Sequence, residues 1–356
     1  MQVHASRFSP SGMSRIKFKP LRFSMKIVAL LLACLSVSFS PDLAISSAFA
    51  FQAVNPPALS WPAGLPVYDH IVIIVEENKD YDQIIGSKNA PYINSVLKKE
   101  GASLTQMYGE EHHSQGNYFW LFSGSNQNVG FADRIPASAL KSANLGEELI
   151  RAGYSFKGYS EGLPEIGSTV VKQGLYARKH VPWISFSNVP NGQTVSGSSN
   201  LRFPADFPSD YNSLPTLSFV IPNLVDDMHD GPVSSSVPVG DEWLKKNIAG
   251  YYEWAKRHNS LLILTFDESD ESTLIGGLTD PANNDPNKRN RIVTILAGAH
   301  IKAGEYAEGK GVNHVSLLRT IEAMYKLDKS GAQPWNALKA GIADDFLIKD
   351  IFSTAP

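Results

Sequence analysis

Short apolar runs alternate with helical patterns along most of this chain. The β-branched run from His70 to Val75 predicts a strand buried on both faces of a parallel sheet. Similar runs recur at 217–221, 261–266 and 292–296. Apolar spacing predicts helices over 90–99, ending at Gly101, and over 241–258. This alternation predicts an α/β fold, a three-layer α/β/α sandwich with a mostly parallel central sheet.

Acidic and amide residues follow three of the predicted strands. They are Glu77 and Asn78, Asp226 and Asp227, and Asp267 and Glu268. In open α/β sheets, ligands bind at the carboxyl edge of the strands, so three segments are expected to bring these side chains together. Clustered carboxylates repel one another unless a cation lies between them, which favours a divalent metal site. The alternative is a solvated turn, since Asp270 and Glu271 continue the acidic run.

The segment from Glu111 to Trp120 places polar residues directly before an aromatic run. A serine at a helix N-terminus, here Ser114, lies beside free backbone N–H groups, which suits an attacking alkoxide and a bound phosphate. The competing interpretation is an N-cap serine on a buried helix. His314 precedes a helix predicted near Ser316, and an isolated histidine is more often structural than catalytic.

The first 50 residues resemble a secretory signal. Six Lys and Arg residues precede an apolar stretch over 27–39, and Ala48-Phe49-Ala50 supplies a small-x-small cleavage pattern. The stretch is shorter than the roughly 20 residues of a membrane span, so no stable span is expected after processing. A secreted or periplasmic protein is therefore predicted. An uncleaved anchor and a lipoprotein through Cys34 are the alternatives.

Removal of residues 1–50 would change the net charge and the cysteine content of the chain. The full chain has 32 basic and 35 acidic residues, and loss of six basic residues and Asp42 leaves a net charge of −8. Such a surface repels polyanions, so nucleic acid is not an expected partner. Cys34 is the only cysteine, which excludes disulfides from the processed chain. Residues 51–356 are predicted to form one domain with a surface excursion near 188–215, and the oligomeric state is not indicated.

Five segments in order resemble the bacterial phosphoesterase family that includes acid phosphatases and phospholipases C, a branch of the alkaline phosphatase superfamily. They are 69–82, 113–124, 222–230, 265–268 and 313–322. The resemblance implies an alkaline-phosphatase-like fold and metal-dependent hydrolysis of a small-molecule or lipid phosphate ester by a serine nucleophile.

The resemblance also implies residue roles. Ser114 is the expected nucleophile and a metal contact, Asn117 the donor to a phosphoryl oxygen, and His112 a phosphate contact. The expected metal ligands are Glu77, Asn78, Asp267 and Glu268. These oxygen ligands favour Mg, Ca or Mn.

Further positions resemble those that bind a second metal or hold phosphate in relatives. Asp226 and Asp230 are expected metal ligands, whereas His229 and His314 are expected to bind substrate. A second site containing His314 would accept Zn. His113 stands where relatives often have proline.

Other functions share these features. A phosphodiesterase or a phosphonate- or sulfate-ester hydrolase would use the same scaffold, although no Cys-x-Pro-x-Arg segment supports a sulfatase. A relative that binds metal and ligand without turnover is the non-enzymatic alternative. The sequence does not distinguish among monoester, diester and phospholipid substrates.

Overall fold

The computed structural model describes residues 64–129, 133–136, 139–270, 290–307 and 311–353. The strands in these residues are β1 (His70–Glu76), β2 (Ala102–Leu104), β3 (Met107–Tyr108), β4 (Phe156–Glu161), β5 (Lys172–Gln173), β6 (Tyr176–Ala177), β7 (Asn200–Phe203), β8 (Leu217–Ile221), β9 (Ser260–Phe266), β10 (Arg291–Ile292), β11 (Thr294–Gly298), β12 (Gly304–Tyr306) and β13 (Val312–Asn313).

The α-helices are α1 (Tyr81–Ile84), α2 (Lys98–Glu100), α3 (Ser114–Ser123), α4 (Leu145–Arg151), α5 (Val233–Ala255), α6 (His314–Met324) and α7 (Trp335–Ala340). A π-helical turn, Ile93–Leu97, leads into α2, and 3-10 turns lie at Arg178–His180, Pro182–Ser185 and Tyr211–Ser213.

An eight-stranded sheet with the order β12-β2-β11-β9-β1-β8-β4-β7 forms the centre of the fold. β1 pairs in parallel with β8 and β9, and β4 pairs in parallel with β8 and β7. Every side chain of β9 is buried, as a continuous apolar run predicts. The predicted mostly parallel α/β sheet is confirmed.

The run predicted as one strand over 292–296 is divided in two. β10 pairs with β3 in a small sheet, whereas β11 joins the main sheet antiparallel to β9, with Thr294 opposite Thr265. An apolar run predicts a buried strand but does not indicate its direction. Because β9 and β11 are antiparallel, the chain leaves β9 and re-enters β11 at the same edge of the sheet.

Helix α5 begins at Val233, well before the predicted start at Asp241. Pro238 and Gly240 are residue types that both disfavour helix interiors. The structure nevertheless places both inside α5, where a Cβ at Gly240 would lie 2.4 Å from Cγ of Met228. Glycine therefore permits close packing of the helix against the loop after β8.

Two consecutive residues show how the helices flank the sheet. Glu77 contacts Ser114 and Tyr118 of α3, whereas Glu76 is close enough to Asp241 of α5 for their charges to interact. Because successive side chains at a strand point to opposite faces, α3 and α5 cover opposite faces of the sheet. Helices α4 and α6 pack against α3. This is the three-layer sandwich predicted from the sequence.

Several predictions concern the ends and surface of the chain. The secretory signal over 1–50 lies outside the described residues, so it stays a prediction, as does the single domain over 51–356. The predicted excursion near 188–215 contains β7, the edge strand beside β4. Within the described part of the chain, no helix combines the length and apolar character needed to cross a bilayer.

Candidate active site

Ser114 is the first residue of α3, and its side chain is buried. Its hydroxyl lies within hydrogen-bond distance of two carboxylates, 2.9 Å from Glu77 Oε2 and 3.2 Å from Glu268 Oε1. His113, the residue before the helix, has extended backbone geometry, and the helical geometry starts at Ser114. The serine therefore lies where a helix N-terminus meets the carboxyl edge of the sheet.

Backbone and amide contacts hold the acidic segments together. The N–H of Glu77 donates to the Asp227 carbonyl over 2.8 Å, which joins the ends of β1 and β8. The N–H of Asn78 donates to Asp267 Oδ1 over 3.1 Å, and its side-chain amide donates to Glu268 Oε1 over 3.0 Å. The three predicted segments therefore meet at one edge of the sheet.

His180 also belongs to this cluster, although the sequence analysis did not identify it. Its Nε2 lies 3.2 Å from Glu77 Oε1, and its Nδ1 lies 3.5 Å from Asp227 Oδ2. Its ring stacks on Tyr118 with the centroids 5.1 Å apart. The only sequence signal is a basic triplet, Arg178-Lys179-His180, which carries no periodicity and does not indicate what the ring will contact.

Burial shapes the protonation of the cluster. Desolvation, together with repulsion from Asp267 and Asp227, raises the pKa of Glu77 well above its ordinary value. Desolvation likewise raises the pKa values of Asp227 and Asp267. It lowers the pKa of His180 well below its ordinary value, with help from Lys179. The site thus holds acids that resist ionisation and a neutral imidazole with an available lone pair.

These residues fit a divalent cation. Potential ligand atoms of Glu77, His180 and Asp227 all lie within 4.8 Å of one another. Asp227 Oδ2, Asp267 Oδ2 and the side-chain oxygen of Asn78 are buried and have no hydrogen-bond partner among the residues that the structure describes. Buried polar atoms are normally satisfied, and a cation would satisfy these oxygens while relieving the repulsion among the acids. The cluster could therefore hold a metal ion.

Lys179 and the start of α3 together hold a carboxylate. The N–H of Gln115 donates to Asp133 Oδ1 over 3.0 Å, and Lys179 Nζ lies 3.1 Å from Asp133 Oδ2. Burial opposes the charge on Lys179, but attraction to Glu77 and Asp133 raises its pKa. This pair of donors, one residue beyond Ser114 and one residue before His180, is suited to holding an anion.

His112 lies in the site beside the partner of Ser114. Its Nδ1 contacts the Glu268 carboxylate, and its side chain is buried. Desolvation, followed by repulsion from His113, lowers the pKa of His112 to about 4. The ring is therefore neutral at physiological pH.

The side chain of Asn117 forms hydrogen bonds with the backbone of the residues that precede Ser114. Its Oδ1 accepts hydrogen bonds from the N–H groups of Glu110 and Glu111 at 3.0 and 3.1 Å, and its Nδ2 donates to the Glu111 carbonyl over 2.6 Å. These contacts stabilise the segment that leads to Ser114. The sequence assigned Asn117 to phosphate, whereas the contacts described here run to the backbone.

His314 has partners at both ring nitrogens. Nδ1 lies 2.6 Å from Glu110 Oε2, and Nε2 lies 2.8 Å from the Phe266 carbonyl. Burial opposes protonation, but attraction to Glu110 and these hydrogen bonds raise the pKa of His314. A protonated ring that donates twice has no lone pair for a metal or a phosphate proton. The histidines that contact the carboxylates of the cluster are His180 and His112.

The remaining predicted site residues lie in the segment after β8, and the structure places them in different surroundings. Asp227 belongs to the buried cluster, whereas Asp226 accepts a 2.6 Å hydrogen bond from Asn223 and lines a separate cavity of about 500 Å³. Asp230 is half exposed and lies 2.8 Å from His229 Nδ1. The structure therefore brings Asp227, rather than Asp226 or Asp230, to the potential metal site.

Comparisons with known proteins agree with this architecture. The Phosphoesterase family matches residues 91–328. A phosphatidylinositol-3-phosphatase of Mycobacterium tuberculosis is 44% identical over 269 residues, which cover 76% of this chain and 81% of that protein. A solved structure of a protein in the alkaline phosphatase superfamily from Vibrio parahaemolyticus has a TM-score of 0.52 at 14% identity, and covers 81% of this chain and 73% of that one.

Fungal acid phosphatases are more distant relatives. A probable acid phosphatase of Kluyveromyces lactis is 28% identical over 293 residues, covering 76% of this chain and 61% of that protein. The chain therefore spans less than two thirds of the length of this acid phosphatase.

The fold and these relatives define an enzyme that hydrolyses phosphoric esters, with the architecture of the alkaline phosphatase superfamily. The chain belongs to the Phosphoesterase family.

Proposed function

We propose that this protein is a metal-dependent phosphatase in which Ser114 attacks phosphorus and is transiently phosphorylated. The observation that supports this most is the position of the serine hydroxyl, between Glu77 and Glu268 at the start of α3. A serine that served only as an N-cap would direct its oxygen to the backbone of the first turn. Here the oxygen is directed to the acidic cluster.

In the first step the Ser114 hydroxyl transfers its proton to Glu77 Oε2, the nearer acceptor, whose ionised form a bound cation would favour. The serine oxygen forms a bond to phosphorus while the bond to the departing alcohol breaks, and that alcohol takes a proton from water. The hydroxide left by that water bonds to phosphorus as the Ser114 O–P bond breaks, and Glu77 returns its proton to the serine oxygen, which restores the hydroxyl and releases hydrogen phosphate. Two in-line displacements preserve the configuration at phosphorus.

Glu77, Asn78, His180, Asp227, Asp267 and Glu268 would hold the cation. When bound, a divalent cation would supply positive charge that lowers the pKa of the serine hydroxyl and stabilises charge on the phosphoryl oxygens. The mostly oxygen donor set favours Mg, Ca or Mn, and His180 would also allow Zn.

Lys179 and the N–H of Gln115 are the proposed donors to phosphoryl oxygens. In this structure they share the carboxylate of Asp133, which shows that the two donors converge on one anion. We propose that a substrate phosphate takes the place of this carboxylate. Charge-assisted donors at a helix N-terminus would then stabilise the transition state.

A phosphomonoester of an inositol lipid is the proposed substrate class. The support is the 44% identity to a phosphatidylinositol-3-phosphatase over three quarters of this chain. The second candidate, a less selective acid phosphatase, is favoured by the fungal relatives. We further propose export across a membrane, on the basis of the N-terminal sequence pattern.

Trapping the covalent intermediate tests the mechanism. Single-turnover reactions with an aryl phosphate, quenched in acid, should yield phosphoserine in the peptide containing Ser114, and Ser114→Ala should yield none. Ser125→Ala, which changes a serine just beyond α3, is the control and should keep both activity and the phosphopeptide. Overall inversion at phosphorus with no phosphoserine would show that water attacks directly.

A further inference from the structure

Residues 166–205 contain no aspartate or glutamate. The same segment contains Lys172, Arg178, Lys179 and Arg202, in a chain whose acidic residues outnumber its basic ones. Arg202 pairs with Asp206, and Lys179 contacts Asp133. Lys172 is exposed to solvent. Two of the four cations are thus paired with acids, and Lys172 is an exposed cation in a segment that carries no acid.

Two loops of this region expose apolar side chains. Val171 and Leu175 are 57% and 43% exposed, and Val195 is 49% exposed. Single exposed apolar residues are ordinary, but three in one acid-free segment form a pattern associated with binding surfaces. Val171, Lys172, Leu175 and Val195 are called the docking surface below.

The hairpin of β5 and β6 has a defined geometry. Lys172 pairs with Ala177 and Gln173 pairs with Tyr176, which leaves a two-residue turn of Gly174 and Leu175. Gly174 has a φ of 55°, and a tight hairpin turn favours glycine at this position. Leu175 is thus presented at the tip of an ordered turn.

Hydrogen bonds join the loop containing Val195 to the segment that precedes the hairpin. The Asn191 side chain donates to the Gly167 carbonyl over 3.1 Å, and the Gly167 N–H donates to the Asn200 carbonyl over 2.9 Å. The loop containing Val195 is therefore joined, through Asn191, to the segment that leads into the hairpin.

The hairpin is also joined to the active site. Strand β6 runs directly into the turn Arg178–His180, whose last residue contacts Glu77 and Asp227. The N–H of Leu224 donates to the Leu175 carbonyl over 3.1 Å, three residues before Asp227. A surface that binds the hairpin is consequently held close to the catalytic cluster.

We propose that the docking surface binds an anionic lipid bilayer and so holds the active site at the lipid headgroups. This inference rests on the proposed action on lipid phosphate esters. The exposed apolar side chains of the docking surface are suited to the acyl-chain boundary of a bilayer, and Lys172 is suited to negatively charged headgroups. This combination is typical of interfacial anchors.

The test compares one headgroup in two physical forms. The full chain is assayed with phosphatidylinositol 3-phosphate in anionic vesicles and with its short-chain, water-soluble analogue, and vesicle binding is measured by co-sedimentation. The double variant Val171→Ser/Leu175→Ser should lose about tenfold in vesicle affinity and in kcat/KM on vesicles, with kcat/KM on the soluble analogue unchanged. Lys172→Gln should lose about fivefold on anionic vesicles and little on zwitterionic ones.

Leu338→Ser is the matched control, because Leu338 is 45% exposed on α7, outside the docking surface. Every variant keeps the same N-terminal segment, so a difference between variants reports on the substituted position. Unchanged vesicle binding by the double variant, or an equal loss in Leu338→Ser, would overturn the proposal. If the wild type binds vesicles but hydrolyses neither lipid form, the proposed substrate is wrong and the co-sedimentation result still decides on the docking surface.

Discussion

The hydroxyl of Tyr118 donates a 2.6 Å hydrogen bond to Glu77 Oε1, while Ser114 donates to the other oxygen of the same carboxylate. The two donors lie one turn apart on α3, so a single helix fixes both oxygens of Glu77. Desolvation and the neighbouring Glu77 raise the pKa of Tyr118 well above its ordinary value, so the phenol stays a donor. Glu77 is thereby oriented toward the cluster before any ligand arrives.

Tyr118→Phe should weaken metal binding without unfolding the protein. Loss of a partner that orients a metal ligand typically lowers metal affinity by about 10–100-fold. Activity measured against metal concentration should therefore shift by that amount and recover at saturating metal. Tyr92→Phe is the control, because the buried Tyr92 hydroxyl has no hydrogen-bond partner within the described part of the chain. An equal shift in both variants would contradict the orienting role of Tyr118.

Removal of metal should abolish activity and lower Tm. A ligand that binds only the folded state stabilises it, and the repulsion among Glu77, Asp227 and Asp267 returns when that ligand leaves. Activity and thermal unfolding are measured after exhaustive chelation, and then after separate additions of Mg, Ca, Mn and Zn. Full activity in demetallated protein would exclude a metal-dependent mechanism.

Two neighbouring acids offer an internal comparison. Asp227→Asn should lower metal affinity by at least about tenfold, because Asp227 belongs to the buried cluster. Asp226→Asn should leave metal affinity unchanged, because Asp226 lines the other cavity. Isothermal titration of the demetallated variants measures both affinities. The opposite order of effects would place Asp226, and not Asp227, at the metal.

His314→Gln should destabilise the fold more than it slows the reaction. Breaking a buried ion pair costs about 3–5 kcal/mol, since Glu110 loses its charged partner. The raised pKa of His314 means that its contribution is fully present below the ordinary value of 6.5 and declines as pH rises through the higher folded-state value. The difference in unfolding free energy between wild type and variant should therefore be larger at pH 5.5 than at pH 9.

Urea unfolding at both pH values measures this difference. If the variant unfolds like the wild type but its turnover is a hundredfold slower, the structural role is wrong. His314 would then bind substrate, as its sequence position suggested.

The sequence predicted the strand ends well because apolar runs and the polar residues that follow them are local features. Glu77, Asn78, Asp267 and Glu268 meet at one edge of the sheet, and Ser114 begins a helix beside them. Parallel strands bring such residues together by topology alone. The pattern sufficed for this part of the site.

The histidines could not be assigned in the same way. The position of His180 depends on its stacking with Tyr118, which is distant in sequence. The helix predicted near Ser316 begins two residues earlier, at His314. The role of His314 is set by Glu110, which lies 204 residues away. Long-range packing decides which ring faces the carboxylates, and no periodicity in one chain encodes it.

The number of residues between Asn223 and Asp227 limits how the sequences of related proteins can vary here. Asn223 binds both acids, since its side chain donates to Asp226 and its carbonyl accepts from the Asp227 N–H. Because of this spacing, the Asp226 carboxylate lines the outer cavity and the Asp227 carboxylate lies in the buried cluster. Deletion of one residue between Asn223 and Asp226 would move Asp227 to the outer position and place Met228 in the buried cluster, which would lose a carboxyl group. A substitution at Asp226 would alter only the outer cavity. We expect natural variants to change the identity of residue 226 freely while the number of residues between Asn223 and Asp227 stays constant.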